Sequence, residues 1–238
     1  MSSSLLTSGN PVRCFALVPC AGVGQRAAVG GPKQYASLLG QALVAHTLAA
    51  LAQVTRLQAT LVVLAPDDAA FEAHVPGFAG DRGWIARCGG ASRAETVAAG
   101  LQALREHGAT DGDWVLVHDA ARCLLRPGWV DRLIDACIDD EVGGLLALPL
   151  ADTLKQAAGD RVGATVERSG KWAAQTPQMF RLGLLQRALA QAGATVTDEA
   201  SAVEALGLAP RLVGGEMENL KITWPADLAL AARLLETR

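Results

Sequence analysis

One segment indicates the architecture of the chain: Leu-Val-Pro-Cys-Ala-Gly-Val-Gly-Gln-Arg at residues 17–26, continuing to Gly-Gly-Pro-Lys-Gln-Tyr at residues 30–35. Its apolar start predicts a buried strand, and the glycines that follow predict a tight turn whose backbone N–H groups can approach an anion. Arg26 and Lys33 flank a stretch without acidic residues. Two such cations beside exposed amides suit a bound polyphosphate.

The same glycines are open to three other interpretations. The first is an ordinary turn after a strand. The second is the dinucleotide-binding fingerprint, which Gly22, Gly24 and Ala27 fit, but which expects an acidic residue about 20 positions later. The acids that follow the next predicted strand, Asp67 and Asp68, come about twice as late. The third is a Walker A loop, which is disfavoured because no Gly-Lys-Ser/Thr follows.

The composition is typical of a cytoplasmic α/β protein. Half of the 238 residues are hydrophobic, and a net charge of −3 gives no reason to expect a nucleic acid or an anionic membrane as partner. Residues 1–13 are polar and Ser-rich, so we expect a flexible tail rather than a signal peptide, and no segment is apolar for long enough to span a bilayer. Scattered cysteines without a Cys-x-x-Cys pair favour a reducing compartment over disulfides or a zinc site: Cys14, Cys20, Cys88, Cys123 and Cys137.

Short apolar strands alternate with helices along most of the chain. We therefore expect a single Rossmann-like α/β domain over residues 14–238, with a mostly parallel sheet flanked by helices. The predicted strands are 15–19, 61–65, 84–87, 114–118, 144–148 and 211–213, and the predicted helices are 43–51, 93–105, 128–139, 181–192, 197–206 and 226–236. Ligands bind beyond the carboxyl ends of such strands, so the loops after the first, third and fourth strands should converge on one site.

Residues 151–171 interrupt this alternation. The segment is polar, contains several Gly and Asp, and has only short alternating pieces such as residues 165–167. It predicts a hairpin that projects from the domain, and a hairpin with so little core of its own is marginal alone. It is either a surface excursion or a contact with a second subunit.

Two segments after predicted strands carry residues suited to phosphate chemistry. Ser92 and Glu95 have the spacing of a capping box at the start of a predicted helix. Asp119 follows the fourth predicted strand, where a carboxylate either caps the next helix or holds Mg²⁺, a cation that prefers oxygen ligands and phosphates. Facing the glycine-rich loop, Asp119 is a candidate metal ligand.

Three segments near the end of the chain add further candidates. Pro177 is expected to fix a turn that leaves Thr176 on a rigid corner. Lys221 lies in an apolar segment predicted as a short strand, where a charge needs a partner such as an anionic substrate. Asp198 and Glu199 are further candidates, but they fit equally well as charges in the first turn of a helix.

Taken together, these segments resemble the 2-C-methyl-D-erythritol 4-phosphate cytidylyltransferase family of the non-mevalonate isoprenoid pathway. They occur in the family's order and cover nearly the whole chain after the tail. The sequence departs from the family at Ala91, where Asp is common, and at Cys123, where Pro is common. The matched motifs are the loop leading to Pro-Lys-Gln-Tyr, Gly-Gly-x-x-Arg-x-x-Thr-Val at 89–97, His-Asp-Ala-Ala-Arg at 118–122, Thr-Pro-Gln at 176–178, and Asn-x-Lys-x-Thr with Pro-x-Asp-Leu at 219–228.

The resemblance implies a role for each matched residue. Arg26 and Lys33 would be catalytic, and Asp119 would bind the metal. The CTP-binding residues would be Ala21, Gly22, Gly24, Arg26, Lys33, Gly90, Ala91, Thr96, Asp119, Ala120 and Lys221. The residues that hold the sugar phosphate would be Arg122, Thr153, Arg168, Thr176 and Lys221.

The resemblance also implies the reaction and its partners. The cytidylyl group of CTP would pass to 2-C-methyl-D-erythritol 4-phosphate, giving the CDP-linked alcohol and pyrophosphate, with Mg²⁺ or another divalent cation as cofactor. The arm at residues 151–171 would clasp the second subunit of a homodimer. The alternatives are a cytidylyltransferase for another polyol phosphate, such as ribitol 5-phosphate, and a catalytically inactive nucleotide-binding module.

Overall fold

The computed structural model describes residues 12–22, 31–192 and 196–237, and strands alternate with helices through them. The strands are β1 (Cys14–Pro19), β2 (Ser37–Leu38), β3 (Gln41–Ala42), β4 (Leu57–Val63), β5 (Gly83–Ala86), β6 (Trp114–Val117), β7 (Gly143–Pro149), β8 (Leu154–Ala158), β9 (Arg161–Val166), β10 (Trp172–Arg181) and β11 (Arg211–Gly214). The helices are α1 (Leu43–Ala52), α2 (Phe71–His74), α3 (Arg93–Glu106), α4 (Pro127–Cys137), α5 (Leu182–Ala192), α6 (Glu199–Glu204) and α7 (Pro225–Glu236). No helix within those ranges is long and apolar enough to cross a membrane.

The main sheet confirms the predicted mostly parallel α/β fold. In the described parts of the chain its seven strands run in the order β11-β7-β10-β6-β1-β4-β5. Neighbouring strands are parallel, except that β10 is antiparallel to both β6 and β7. Parallel strands covered on both faces are apolar along their whole length, which is why β1 has no polar alternation.

Strand β10 corrects the prediction that Pro177 fixes a turn with Thr176 on a rigid corner. These residues lie inside the strand, and the Thr176–Pro177 peptide bond is cis. A proline is normally excluded from a central strand, because it has no N–H to donate to the hydrogen bonds between strands. Here the pairing of β10 with β7 is irregular between Ala174 and Gln178, so the proline lies where the regular ladder is interrupted.

Helices cover both faces of the sheet and bury its side chains. Ala16 and Val18 belong to one apolar cluster, which includes residues of α1 and α4. Phe15 and Leu17 belong to the other, which includes residues of α3, α5 and α6. Burial at this scale is the main source of stability and holds the carboxyl ends of the strands in fixed positions.

The predicted convergence of the loops after β1, β5 and β6 is confirmed, beginning with the first two of them. The Gly89 N–H donates to the carbonyl of Leu64 at 2.8 Å, which holds the loop after β5 against the end of β4. A Cβ atom on Gly89 would lie 2.3 Å from the Cβ of Ala21, so only glycine allows this approach to the loop after β1. The β6 loop joins them through the charge contacts described below.

A buried histidine links β6 to β10. His118 is fully buried, with Nδ1 3.0 Å from the Thr176 hydroxyl and Nε2 3.2 Å from the carbonyl of Arg122. Burial lowers the pKa of His118 to about 4, so the ring is neutral at pH 7. The Thr176 hydroxyl accepts from the Asp119 N–H at 3.1 Å, so its own proton can go to Nδ1, and Nε2–H then donates to Arg122.

The predicted arm is an exposed two-stranded hairpin. Strands β8 and β9 pair with each other and form a sheet separate from the main one. The Lys155 ammonium donates to the Thr165 hydroxyl across the strands at 2.7 Å. Most side chains of the hairpin are exposed, among them Val162 at 64%.

We predict that Gly143→Ala strongly destabilises the fold, because β7 begins at Gly143 with a φ of 107°. An added Cβ would lie 2.2 Å from the carbonyl oxygen of Met179 on β10. Chemical unfolding should show a loss of about 2–4 kcal/mol in the free energy of unfolding. Gly128→Ala is the matched control, since a Cβ there meets nothing within 4 Å, and it should be neutral or slightly stabilising. Equal stability of the two variants would contradict the pairing of β7 with β10.

Candidate active site

Asp119 is the centre of a cluster of charges at the carboxyl edge of the sheet. It follows β6 and is 7% exposed. Arg93 Nε donates to Asp119 Oδ1 at 2.8 Å, and Lys221 Nζ lies 2.6 Å from Oδ2. Burial alone would raise the pKa of the Asp119 carboxyl, but Arg93 and Lys221 hold that pKa well below its usual range. Asp119 is therefore an anion at neutral pH, with a cation on each oxygen.

A second carboxylate fixes Arg93 from the other side. Glu199 is 1% exposed and accepts from both terminal nitrogens of Arg93, at 2.6 and 3.0 Å. This bidentate geometry is the strong form of an Arg–carboxylate pair. The result is a row of alternating charges, Glu199–Arg93–Asp119–Lys221, contributed by α6, α3, the end of β6 and the segment before α7.

Arg93 and Glu199 were missed as functional residues by the sequence analysis. Arg93 lies in the Gly-Gly-x-x-Arg motif, but it was treated as part of the motif rather than as a site residue. Glu199 was interpreted as a first-turn helix charge, although two alanines and a valine follow it in α6. A carboxylate in so apolar a setting was the available signal that it is buried and paired.

Lys221 does not lie in a strand, which corrects the prediction for this segment. Residues 219–223 have no regular secondary structure and are held by the Ile222 N–H, which donates to the carbonyl of Ala121 at 2.9 Å. The Lys33 ammonium donates to the carbonyl of Ile222 at 2.6 Å. The Lys33 side chain, from near the start of the chain, is thus held at the segment near its end that carries Lys221.

The glycine-rich loop is described only in part. Ala21 and Gly22 continue from β1, and an added Cβ on Gly22 would meet no atom of the described residues within 4 Å. The predictions for Gly24 and Arg26 lie outside the described residues. Lys33 begins a short 3-10 turn, Lys33–Tyr35, on the far side of that gap.

The loop before α3 is held rigidly by its own hydrogen bonds. The predicted capping box is confirmed: the Ser92 side chain accepts from the Glu95 N–H at 3.1 Å, and Glu95 accepts from the N–H groups of Ala91 and Ser92 at 2.8 and 3.2 Å. Thr96 is buried, and its hydroxyl accepts from the Gly90 N–H at 3.2 Å and donates to the carbonyl of Ser92 at 2.9 Å. The Thr96 hydroxyl therefore orients the Gly90 backbone rather than pointing to open solvent.

The residues expected to hold the sugar phosphate fall into two groups. Arg122 and Thr176 lie beside the Asp119 cluster. Arg122 donates to the carbonyls of Asn219 and Ala174, at 2.6 and 3.2 Å, and Asn219 donates to the Thr176 carbonyl at 2.8 Å. Burial lowers the pKa of Arg122, and its Nε is buried without a hydrogen-bond partner in the described structure.

The other group is on the arm. Thr153 precedes β8, Arg168 follows β9, and both are exposed. Within the part of the chain that the structure describes, neither side chain forms a hydrogen bond or ion pair with the Asp119 cluster. The structure therefore brings Arg122, Thr176, Asp119 and Lys221 together but leaves the two arm residues apart.

Ala120 completes the set of predicted site residues. It is buried next to Asp119, and its carbonyl accepts from the Thr47 hydroxyl at 3.0 Å. No group of three or more His, Cys, Asp or Glu residues that could hold a metal occurs among the residues described. Asp119 is the carboxylate that contacts both Arg93 and Lys221, an arrangement that suits phosphates and a metal carried by them.

Comparison with known proteins identifies the family. Residues 14–237 match the family model described as IspD: 2-C-methyl-D-erythritol 4-phosphate cytidylyltransferase. The chain is 52% identical over 228 residues to the 2-C-methyl-D-erythritol 4-phosphate cytidylyltransferase of Burkholderia cenocepacia strain HI2424, covering 94% of this chain and 96% of that protein. It is 58% identical over 226 residues to the bifunctional enzyme IspD/IspF of Albidiferax ferrireducens, covering 95% of this chain but only 54%, about half, of that longer relative.

A solved structure extends the similarity to three dimensions. The crystal structure of a 4-diphosphocytidyl-2C-methyl-D-erythritol synthase superposes with a TM-score of 0.85 at 41% identity, covering 95% of this chain and 100% of that one. Because the family match spans nearly every residue from β1 to α7, the chain belongs to the 2-C-methyl-D-erythritol 4-phosphate cytidylyltransferase family.

Proposed function

We propose that this chain carries out the reaction of its family, which transfers the cytidylyl group of CTP to 2-C-methyl-D-erythritol 4-phosphate in isoprenoid precursor biosynthesis. A phosphate oxygen of the sugar attacks the α-phosphorus of CTP and forms a new P–O bond. The bond between the α-phosphorus and the oxygen that bridges to the β-phosphorus breaks, and pyrophosphate leaves with the electron pair of that bond. The observation that carries the proposal is that Lys221 contacts Asp119 while the Lys33 ammonium, 188 positions earlier in the sequence, bonds to the carbonyl of the next residue, Ile222.

The main task of the site is to hold two anions together. The sugar phosphate is already a nucleophile, so no covalent enzyme intermediate is needed, and catalysis comes from positioning and charge stabilisation. Lys33 and Arg26 stabilise the charge that gathers on the triphosphate as pyrophosphate departs. Lys221 and Arg168 direct the attacking phosphate, and Arg122, Thr153 and Thr176 border the sugar side.

The nucleotide is held by the loops after β1, β5 and β6. Ala21, Gly22 and Gly24 bring backbone close to the phosphates. The part of the site that holds the base and ribose is lined by Gly90, Ala91, Thr96 and Ala120. The Gly90 N–H donates to the Thr96 hydroxyl, which keeps the edge of the loop after β5 in place. A rigid polar edge selects cytosine because a mismatched base would leave buried polar groups unpaired.

We include Mg²⁺, or another divalent cation, as cofactor. Asp119 fits it because a buried carboxylate that remains ionised offers a hard oxygen ligand beside the triphosphate. Bound there with the substrate, the cation would neutralise phosphate charge. Arg93 and Lys221 already contact the two Asp119 oxygens, so they share that carboxylate with any cation.

The arm supports a homodimer as the working form, and the scattered cysteines favour the cytoplasm as its compartment. Its strands bury little in their own chain, and exposed apolar side chains such as Val162 at 64% and Trp172 at 39% lie on it and at its base. Packing against a second subunit would cover them. It would also carry Thr153 and Arg168 to a site, which accounts for their separation from the Asp119 cluster.

The proposed activity is tested by offering CTP, UTP and ATP with 2-C-methyl-D-erythritol 4-phosphate and Mg²⁺ while measuring pyrophosphate release. Of the three nucleotides, only CTP should be used efficiently. Substituting ribitol 5-phosphate tests the alternative acceptor and should give little turnover. Absence of pyrophosphate release with every pair would instead support an inactive nucleotide-binding module.

Removal of either loop cation should slow the chemical step. We expect Lys33→Ala and Arg26→Ala each to lower kcat by roughly 10²–10³, the usual cost of removing one transition-state donor. Arg233→Ala is the control, because that exposed arginine on α7 donates to the carbonyl of Ala229 on its own helix, and it should leave kcat unchanged. Unchanged kcat in both loop variants would refute these assignments.

Removal of the arm arginine should affect the acceptor rather than the nucleotide. We expect Arg168→Ala to raise KM for 2-C-methyl-D-erythritol 4-phosphate by about tenfold or more, with a smaller effect on KM for CTP. Arg161→Ala, an exposed arginine of the same hairpin, is the matched control. If both arm variants behave like the wild type in steady-state kinetics, the arm does not contribute to the acceptor site.

A further inference from the structure

The geometry points to Glu199 as a positioning residue, which holds Arg93 so that Arg93 in turn orients the Asp119 carboxylate for nucleotidyl transfer. This inference rests on the proposed function and extends it to a residue at the end of the charge row, on the far side of Arg93 from Asp119. Glu199 itself touches no substrate in this arrangement, because its carboxylate is buried against Arg93.

Burial and geometry distinguish the two ends of the row. Arg93 is held by two bonds to Glu199 from its terminal nitrogens, and its Nε–H donates to Asp119 Oδ1. The planar guanidinium of Arg93 is therefore held on two of its edges, and its fixed plane sets the direction of the hydrogen bond to Asp119. Lys221, at the other end, is 43% exposed and has one rotatable ammonium on Oδ2. One side of Asp119 is rigid and the other is free to adjust to a ligand.

Glu199 is itself held in place by the main sheet. Asp198 caps α6, and its carboxylate accepts from the side-chain amide of Gln178 at 2.9 Å. The side-chain oxygen Oε1 of Gln178 accepts from the Ala200 N–H at 2.8 Å, on the other side of Glu199. Strand β10 therefore fixes the backbone on either side of Glu199, and this rigidity is transmitted through Arg93 to Asp119.

The charge balance gives Glu199 a second effect on the site. Without it, the Arg93 charge would be compensated by Asp119 alone, and Asp119 already contacts Lys221. With it, two carboxylates face two cations. Asp119 then keeps negative character toward a ligand instead of being fully neutralised by its neighbours.

Glu199→Gln separates positioning from a structural role by its kinetic pattern. The variant removes a negative charge near a site for a polyanion, so KM for CTP should stay within about twofold or fall. Because the orientation of Asp119 loosens, kcat should fall by about ten- to a hundredfold. Glu204→Gln, an exposed glutamate on the same helix, is the matched control and should match the wild type.

The decisive comparison repeats Glu199→Gln in an Asp119→Asn background, at a temperature where circular dichroism shows every variant to be folded. If Glu199 acts through Asp119, the second substitution should change the residual kcat by less than about twofold. An equal fold-loss of kcat in both backgrounds, or an unchanged kcat in the single variant, would overturn the inference.

Two further variants keep the test valid if Glu199→Gln does not fold. Arg93→Lys retains the positive charge beside Asp119 but lacks the planar fork, and Glu199→Asp retains the negative charge but is one methylene shorter. Each should reproduce the fall in kcat with little change in KM for CTP, and wild-type kcat in both would refute the inference. A wild-type enzyme that releases no pyrophosphate from CTP would contradict the proposed function, whereas an active wild type with unaffected variants would contradict only the role of Glu199.

Discussion

Everything at the carboxyl edge of the sheet depends on keeping one buried carboxylate ionised. Removing Asp119 from water costs several kcal/mol, and only close cations with good geometry compensate for that cost. Arg93 and Lys221 supply this compensation, one on each oxygen. Arg93 is itself partly buried and pairs with the buried Glu199, so the row of charges is complete only when four separate chain segments have docked.

The neutral hydrogen bonds around the row serve the same end. His118, Thr176 and Asn219 connect β6, β10 and the segment before α7 without adding charge. A protonated His118 would place another positive charge beside residues that already include Arg93 and Arg122. Its low pKa keeps the ring neutral, so the electrostatics near Asp119 are set by the side chains of the row.

The sequence predicted the parts of the fold that depend on local pattern. Apolar runs and helical spacing located β1, β4, β6, β7 and the longer helices, because burial on both faces of a parallel sheet leaves that signature. Strand β10 was missed, since Pro177 argues against a strand unless the ladder is irregular there, which only the partner β7 determines.

The candidate site shows the same division between local and distant information. Motifs located Lys33, Asp119 and Lys221, but not the contacts between them. Arg93 and Glu199 are 106 residues apart, and no local pattern indicates that two charges will pair at that separation. Lys221 was given a strand because its neighbours are apolar, whereas their burial comes from packing of an irregular segment, in which Ile222 bonds to Ala121.

The position of the hairpin within the topology has a consequence for how this protein can diversify. It leaves the sheet at the end of β7 and returns at the start of β10, where Pro149 and Trp172 are direct partners across adjacent antiparallel strands. Both ends of the insertion are therefore anchored at neighbouring points, and its length or sequence can change without altering the spacing of the strands beneath. With the roles proposed above for the arm, acceptor preference and subunit pairing could change there while the nucleotide half remains constant.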